Sequence, residues 1–323
     1  MKKILVIRLG AIGDVVFTTI IPYAIKLMYP DYKIHYLVPN GIDKLLEDNP
    51  CIDKIFIWER CRRKSFKYLF SIAGKLRREK YDVIFNLNNT LRCFLLSSLA
   101  MPKKIVSKQT TGGHWVDDAF FAAKKVFPKL EKPNRLFLSA KPEAANKIRE
   151  DISGFPRPYI MIAPGGDTSK NRAGRSWSID YWKELSKMII KEYGGTIFVC
   201  GSDSEKEFHS TLSNERVVVF SGKYNLAESS ALLSMADLMI SGDTGPLHIA
   251  SAHNIKTLAL LGSTSPDKIC PYGENGHWIS SDFECKYCWK KKCKYVQVGE
   301  ETPCMGELKP DFVLSAVKKI FEQ

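Results

Sequence analysis

The chain alternates between short apolar runs with β-strand propensity and longer stretches with the spacing of amphipathic helices. In the first half the apolar runs are "KILVIR", "KIHYLV", "KIFIW", "YDVIFNL" and "KKIVS", and in the second half "YIMIAPG", "GTIFVCG", "RVVVFSG", "ADLMIS" and "TLALLG". The pattern also predicts an apolar helix over Val15–Met28 and a capped one from Ser178 to Gly194. This alternation is typical of βαβ units and parallel sheets.

A helical stretch and a Pro- and Gly-rich segment interrupt the alternation near residues 141–160. A chain of 323 residues suits two domains. We therefore predict one domain over residues 1–150 and another over 151–323. The predicted class is α/β, with two Rossmann-like, doubly wound parallel sheets facing each other across a cleft. In such sheets ligands bind beyond the carboxyl ends of the strands.

The composition is that of a soluble globular protein, with 45% hydrophobic and 26% charged residues. No stretch approaches the roughly 20 apolar residues that a membrane span needs. The first residues are basic and then apolar, as in a signal peptide. That apolar run is broken by Arg8 and Asp14, however, and no small-residue cleavage site follows. We therefore expect a cytoplasmic protein.

The net charge of +13 is concentrated in the first half of the chain. Residues 1–150 hold 28 Lys and Arg against 14 Asp and Glu, whereas residues 151–323 hold 20 against 21. The basic clusters Arg60–Lys67 and Lys75–Lys80 dominate this excess. A charge run is usually a solvated helix face. An asymmetry of this size nevertheless favours a polyanionic partner, which on charge alone is nucleic acid, an anionic membrane or a phosphorylated acceptor.

Three strands of the second half end in polar or glycine-rich turns, "APGGDTSKNRAGRSW", "CGSDSE" and "SGDTGPLH". In the last of these, Thr244 and Gly245 precede a predicted helix, whose free N–H groups and dipole favour phosphate. A simpler interpretation is an ordinary helix cap by Asp243 or Thr244 ahead of a proline. Because the three turns lie at one edge of a sheet, they predict a composite anion site.

The long loop 165–176 brings Lys170, Arg172 and Arg175 to the same edge. A guanidinium suits bidentate contact with phosphate. No G-x-G-x-x-G follows the first strand, and no G-x-x-x-x-G-K-[ST] occurs. A nicotinamide oxidoreductase and a P-loop kinase are therefore disfavoured.

In the first half, "RLGAIGDV" places Gly10 and Gly13 in a strand-to-helix turn and Asp14 at the start of the helix. A carboxylate at that position is commonly a helix cap. It also has the chemistry to take a proton from a hydroxyl group.

Five segments together resemble glycosyltransferase family 9, the ADP-heptose:lipopolysaccharide heptosyltransferases. They are "RLGAIGDVVFTT", "YDVIFNL", "HWVDD", "APGG…RSW" and "SGDTGPLHIASA" followed by "LLGSTSP", and the resemblance runs nearly end to end. It implies the two-domain GT-B fold. It also implies metal-independent, inverting transfer of heptose from ADP-heptose to the lipopolysaccharide inner core, onto Kdo or the first heptose.

The resemblance implies a role for Asp14 as the general base. It also implies a set of donor-binding residues, namely Arg175, Asp203, Tyr224, Asp243, Thr244, Gly245 and His248. In this interpretation Asp203 accepts from the ribose hydroxyls, and Tyr224 covers the adenine. His248 is a binding residue near the donor sugar, because a His in a first helical turn is more often a hydrogen-bonding group than a catalyst.

The acceptor side is predicted from charge. The basic residues Arg60, Arg62, Arg63 and Lys64 are candidates for binding an acceptor rich in carboxylates and phosphates. Such an acceptor places the protein at the cytoplasmic face of the inner membrane, in peripheral contact with it. The run D-x-Q-G that is common in the family is replaced here by Asn86–Thr90, "NLNNT", so the acceptor contacts are expected to differ.

Nine cysteines in a chain expected to be cytoplasmic indicate thiols rather than disulfides. Four of them lie late in the chain, at Cys285, Cys288, Cys293 and Cys304. The first pair has the spacing of metal ligands, whereas the other spacings match no standard site. A structural metal and free thiols both remain open, and no cofactor is predicted.

Three other functions remain open. The same fold can act on another nucleotide sugar, or on a capsule or O-chain acceptor. A nucleotide-sugar epimerase of the same architecture would convert its sugar without an acceptor. A nucleic-acid-binding protein would use the basic half, but the sequence has no recognised nucleic-acid motif, and we expect no nucleic-acid partner.

Overall fold

The computed structural model describes residues 2–165, 175–290, 292–297 and 300–322. The chain divides into two compact units, Met1–Ser139 and Ala140–Gln323. The division falls earlier than the predicted boundary at residue 150. The reason is that the helix Pro142–Ile152 packs against the helix Leu226–Leu233 of the second unit.

The first unit is a five-stranded, wholly parallel sheet in the order β3-β2-β1-β4-β5. Its strands are β1 Lys3–Ile7, β2 Lys33–Pro39, β3 Lys54–Trp58, β4 Val83–Asn86 and β5 Lys104–Ser107. Its helices are α1 Ile12–Thr18, α2 Ile20–Met28, α3 Asp43–Leu46, α4 Phe66–Arg78, α5 Leu91–Leu99 and α6 Trp115–Lys124, with a 3-10 turn at Arg60–Arg62. All five strands predicted here are confirmed.

The second unit is a six-stranded parallel sheet in the order β11-β10-β9-β6-β7-β8. Its strands are β6 Tyr159–Ala163, β7 Thr196–Val199, β8 Val217–Val219, β9 Leu238–Ser241, β10 Thr257–Leu261 and β11 Gly276–Ser280. Its helices are α7 Pro142–Ile152, α8 Ile179–Tyr193, α9 Lys206–Ser210, α10 Leu226–Leu233, α11 Gly245–Ala252, α12 Pro266–Ile269, α13 Pro303–Gly306 and α14 Pro310–Glu322, with a 3-10 turn at Asp203–Glu205.

In this unit one predicted helix is confirmed and one strand was not predicted. The helix predicted from Ser178 to Gly194 is confirmed as α8, since the Ser178 hydroxyl accepts from the N–H of Asp180 and Gly194 ends the helix at a φ of 80°. Strand β11 was missed. It is an edge strand, partly exposed along its length, and "GHWIS" lacks the apolar run that marks a buried strand.

The prediction of one continuous helix over Val15–Met28 is wrong, because the helix divides at Thr19 into α1 and α2. Pro22 has no N–H to donate to the carbonyl of Thr18, so the helical ladder is interrupted there. The hydroxyls of Thr18 and Thr19 each donate to the carbonyl three residues back, at 2.7 Å. These bonds satisfy backbone acceptors at the break.

Each unit has its own apolar core. In the first, α4 and α5 bury their inner sides against the sheet around Leu5 and Ile84. In the second, α8 and α14 pack on the sheet around Trp182, Ile240 and Met305. Across the ranges given above, no helix is long and apolar enough to cross a membrane.

Replacing Leu5 tests the central strand of the first sheet. Leu5 is fully buried, so we expect Leu5→Ala to lower the free energy of unfolding by about 3 kcal/mol. The matched control is Leu27→Ala on the exposed side of α2, expected to stay within about 0.5 kcal/mol. Urea denaturation measures both. Equal stabilities of the two variants would contradict the position of β1 in the core.

Candidate functional site

Asp14 lies in the first turn of α1, just beyond the carboxyl end of β1. One carboxylate oxygen, Oδ2, accepts from the backbone N–H of Ala11 at 2.9 Å. The other, Oδ1, pairs with Nη2 of Arg8 at 2.7 Å. The N-cap residue is Ala11, so Asp14 stabilises the helix start from inside the first turn. Its side chain is partly exposed, and a hydroxyl group can therefore reach it.

Gly10 allows this turn to fold against the carboxylate. A Cβ atom at Gly10 would lie 2.2 Å from Oδ2 of Asp14, well inside van der Waals contact. The glycine is thus required by close approach, and its replacement must displace the Asp14 side chain.

Arg8 and Asn88 fix the end of β1, and sequence reasoning selected neither. The Arg8 guanidinium also donates to the carbonyl of Leu87, which follows β4. Asn88 accepts from the N–H of Leu9 and donates to the carbonyl of Ile7, both at 2.9 Å. Their positions in the sequence could have indicated them, since both residues follow the carboxyl ends of neighbouring strands. Asn88 belongs to "NLNNT", the segment that replaces the D-x-Q-G run of the family. It thus supports the turn that carries Asp14.

The segment "HWVDD" begins α6, and it lies beside Asp14. Arg8, Asp14, Phe17, Lys108, Trp115 and Asp118 are among the residues that line one pocket. Burial lowers the pKa of Lys108, and the nearby Arg8 cation lowers it further. Asp118 accepts from the N–H and the hydroxyl of Thr111, at 2.6 and 2.8 Å, which shapes the loop after β5. Lys108 follows β5 directly and was also missed.

The four basic residues predicted to bind an acceptor differ in position. Arg60 reaches the Asp14 turn, where its Nη2 donates to the carbonyl of Gly10 at 2.6 Å. Arg62 lies over the Tyr68 ring at 4.9 Å. Arg63 and Lys64 are exposed on the surface just ahead of α4. The structure therefore brings Arg60 to Asp14 and leaves the other three further along the surface.

In the second unit, Asp243 follows β9 and binds two cationic or titratable side chains. Its Oδ2 lies 3.1 Å from Nη1 of Arg175, and its Oδ1 lies 3.2 Å from Nε2 of His248. His248 is buried at this position. The N-cap residue of α11 is Thr244, and the Asp243 carboxylate makes these two contacts from the position before it.

Thr244 is the N-cap residue of α11, yet its side chain does not cap the helix. Its hydroxyl instead shares a hydrogen bond of 2.7 Å with Ser241, whose Oγ donates to the carbonyl of Ala163 at 2.8 Å. The Thr244 side chain thus leaves the N–H groups in the first turn of α11 uncapped, and N–H groups at a helix start favour an anion.

Trp289 supports Arg175 and was missed as a site residue, although "KYCW" is visibly aromatic and basic. The Arg175 guanidinium lies over the Trp289 ring at 5.5 Å. The backbone N–H of Trp289 donates to the carbonyl of Ser263 at 2.8 Å, which anchors the segment beyond β10. Lys170 and Arg172 lie outside the described residues.

Asp203 and Tyr224 follow β7 and β8 at the same edge of the second sheet. Asp203 packs closely on Gly222, where a Cβ atom would lie 2.7 Å from its Oδ1. The Tyr224 hydroxyl donates to Asp151 at 2.7 Å, and its ring meets Phe220 edge-on at 5.2 Å. Burial, aided by the Asp151 carboxylate, raises the pKa of Tyr224, so its phenol is neutral at ordinary pH.

His209 links several loops at this edge and was also missed. It is fully buried, with Nδ1 at 2.7 Å from Oγ of Ser221 and Nε2 at 2.9 Å from the carbonyl of Gly165. A Cβ atom at Gly201 would lie 2.6 Å from the imidazole. One side chain thus holds the turns that follow β6, β7 and β8.

The late cysteines carry free thiols. Cys285, Cys288 and Cys293 are half-buried, and Cys304 is buried. Burial raises the pKa of Cys304. Among the described residues, no group of three or more His, Cys, Asp and Glu side chains is placed to hold a metal ion.

Two solved structures share this fold over nearly their whole length. The glycosyl transferase family 9 protein from Veillonella parvula superposes with a TM-score of 0.85 at 19% identity, covering 100% of this chain and 98% of that one. The ADP-heptose lps heptosyltransferase II of E. coli gives 0.78 at 19% identity, covering 99% and 98%. The protein is thus a two-domain α/β protein of the GT-B class.

Sequence comparison identifies the family. The profile of glycosyltransferase family 9 (heptosyltransferase) matches residues 97–298. The lipopolysaccharide core heptosyltransferase OpsX of Haemophilus influenzae is 24% identical over 303 residues, which cover 86% of this chain and 84% of the relative. The chain therefore belongs to glycosyltransferase family 9. The family and the fold predicted from the sequence are both confirmed.

Replacing Gly10 tests the close approach to Asp14. We expect Gly10→Ala to lower the free energy of unfolding by about 2 kcal/mol, because its Cβ displaces the carboxylate from Ala11 and Arg8. The matched control is Gly74→Ala within α4, where a Cβ meets nothing within 4 Å. It should gain about 0.5–1 kcal/mol from helix propensity.

A double-mutant cycle isolates the cause. Asp14→Gly in the Gly10→Ala background removes all three side-chain atoms that the new Cβ would strike, the Cβ, Cγ and Oδ2 of Asp14. The double variant should therefore lose less stability than the two single losses added together. Strict additivity would show that the glycine acts for another reason.

Proposed function

We propose that the protein transfers heptose from ADP-heptose to a hydroxyl group of the lipopolysaccharide inner core, on Kdo or on the first heptose. The observation that carries the proposal is the start of α11, where a helix N-terminus that Thr244 does not cap follows the Arg175–Asp243 pair. Two relatives support this choice by their names, one an ADP-heptose enzyme and the other a core heptosyltransferase.

On the donor side, the leaving group is ADP, and its negative charge grows as the glycosidic bond breaks. The N–H groups at Thr244 and Gly245 and the guanidinium of Arg175 would stabilise that charge. Asp243 holds Arg175 and His248 in place through its two carboxylate oxygens. In the same proposal Asp203 binds the ribose hydroxyls, and the adenine lies against Tyr224.

On the acceptor side, Asp14 takes the proton of the attacking hydroxyl group. The acceptor oxygen forms its bond to the anomeric carbon as the bond from that carbon to the β-phosphate oxygen breaks. ADP leaves with the electron pair, and the anomeric configuration inverts. Arg8 neutralises and orients the carboxylate through its 2.7 Å contact. The chain's own groups therefore supply a base and a stabilised leaving group.

The first unit supplies cations for an anionic acceptor. Arg60 is held at the Asp14 turn, and Lys108 lines the pocket beside it. Arg62, Arg63 and Lys64 extend the positive surface towards α4. Because a lipopolysaccharide precursor is anchored in a bilayer, we place the protein at the cytoplasmic face of the inner membrane, in peripheral contact with it.

The substrate is tested by incubating the protein with a panel of nucleotide sugars and truncated lipopolysaccharide cores, read by mass spectrometry. We expect one heptose to be added from ADP-heptose, with ADP released only when acceptor is present. Transfer from a different nucleotide sugar would correct the donor. Conversion of the sugar without any acceptor would overturn the proposal in favour of an epimerase.

Asp14→Ala tests the base. We expect turnover to fall by about 10²–10⁴-fold, because the variant loses the carboxylate proposed to take the proton, while ADP binding measured by calorimetry is unchanged. Asp117→Ala is the matched control, since Asp117 is a more exposed carboxylate whose contact is with Lys132 at 2.7 Å. Near-normal turnover of Asp14→Ala would remove Asp14 from the mechanism.

Arg175→Ala tests the leaving-group site. We expect the dissociation constant for ADP to rise by about 10–100-fold, the loss of one charge-assisted contact. Arg175→Lys should recover part of the affinity, because it keeps the charge without the fork geometry. Arg216→Ala is the control. Arg216 is exposed and precedes β8, so it lies at the amino end of that strand, whereas the proposed site lies at the carboxyl ends. Unchanged ADP affinity in Arg175→Ala would rule out phosphate contact at this residue.

A further inference from the structure

Helices α4 and α5 lie on one face of the first sheet, with their inner sides in its core. Their outer sides carry four large apolar residues that are open to solvent. Phe66 and Phe70, one turn apart on α4, are 62% and 56% exposed. Leu91 and Phe94, one turn apart on α5, are 85% and 52% exposed. We name these four residues the α4–α5 apolar face. Clustered apolar exposure of this kind marks an interaction surface.

The two halves of this face are joined directly. The Arg92 guanidinium of α5 lies over the Phe66 ring at 5.1 Å, and it also donates to the carbonyl of Ser65 at the start of α4. Helices α4 and α5 also pack against each other. The apolar side chains therefore belong to one surface rather than to two isolated spots.

Positive charge surrounds the apolar face. Residues 60–78 contain eight Lys or Arg and no Asp or Glu. Lys67, Lys75 and Arg78 are exposed on α4, the helix that carries the two phenylalanines. Helix α5 also lacks acidic residues. An ordinary solvated helix face would mix both signs and hold few aromatic side chains, so the basic clusters noted in the sequence form part of a specific surface.

We propose that the α4–α5 apolar face docks the protein onto an anionic lipid bilayer. The apolar side chains would enter the boundary between headgroups and acyl chains, while the surrounding cations meet lipid phosphates. Two copies of this face would repel each other by charge, which disfavours a homodimer. A nucleic acid would use the cations but leave Leu91 and Phe94 in water. The combination of aromatic, aliphatic and basic groups fits a membrane surface best.

The α4–α5 apolar face is connected to the turn that carries Asp14. Arg60 binds the carbonyl of Gly10, in the turn that carries Asp14, and the basic segment then runs from Arg60 into α4. The docking surface thus begins at the edge of the first sheet where Asp14 lies. This step rests on the proposed function, because it assigns the bilayer as the place that holds the acceptor. The docking itself does not depend on it.

Co-sedimentation of the full chain with lipid vesicles tests the docking. We expect binding to vesicles of phosphatidylcholine with phosphatidylglycerol and little binding to phosphatidylcholine alone. The double variant Leu91→Ser/Phe94→Ser should bind at least tenfold more weakly, because it removes half of the apolar face. Phe312→Ser is the matched control, with a side chain 50% exposed on α14, and it should bind like the wild type.

A charge variant tests the contribution of the exposed cations to vesicle binding. Lys67→Gln/Lys75→Gln/Arg78→Gln should weaken binding to anionic vesicles by roughly 100-fold at low salt and reduce its salt dependence. Thermal unfolding checks that each variant is folded, as expected for exposed positions. Wild-type binding by the apolar double variant would overturn the proposal. So would a dimer that the double variant abolishes, or a duplex nucleic acid that displaces the vesicles.

A lipid-free acceptor sugar separates this proposal from the proposed function. The docking variants should transfer heptose to it at wild-type rates, because their changed residues are outside the site. If the variants transfer heptose at these rates but the wild type does not bind vesicles, only the docking proposal is wrong. If the wild type binds vesicles but transfers no heptose from ADP-heptose, only the proposed reaction is wrong.

Discussion

Parallel strand pairing is the constraint on which both units depend. Every paired strand in the two sheets runs in the same direction as its neighbour, so the turns that follow them collect at one edge of each sheet. For this reason Arg8 and Lys108 line one pocket, and Asn88 bonds the backbone of Ile7 and Leu9 on either side of Arg8. Asp243 reaches Arg175 in the same way. The chemistry of each unit is therefore a consequence of strand order.

Within each edge, a carboxylate and an arginine form the central pair. Asp14 pairs with Arg8 at 2.7 Å, and Asp243 pairs with Arg175 at 3.1 Å. All four side chains are partly buried, and an isolated charge there would be costly to desolvate. Each pair reduces that cost and fixes the geometry of a charged group. The same contact that stabilises the turn thus also orients the carboxylate that we propose as the base in one unit and the guanidinium that we propose as a phosphate ligand in the other.

The sequence was sufficient for features that depend on local pattern. Ten strands, the capped helix α8 and the position of Asp14 follow from apolar runs, caps and glycine turns. Features that depend on tertiary contact were not predictable in this way. His209 and Trp289 are important because of what lies across from them, namely the turns after β6 and β8 for one and Arg175 for the other. Edge strand β11 was missed because half-exposed strands lack a continuous apolar run.

The charge asymmetry of the chain acquires two physical meanings in the structure. Inside the first unit, Arg8 and Lys108 are partly buried beside Asp14, where low solvent access strengthens their electrostatic effect. Outside it, Lys67 and Arg78 remain hydrated and act at longer range, where salt screens them. Composition alone gave a single basic half. Burial divides that half into groups that contact or neighbour one carboxylate and exposed groups that we propose to meet an anionic membrane. Salt is expected to screen the second set more strongly than the first.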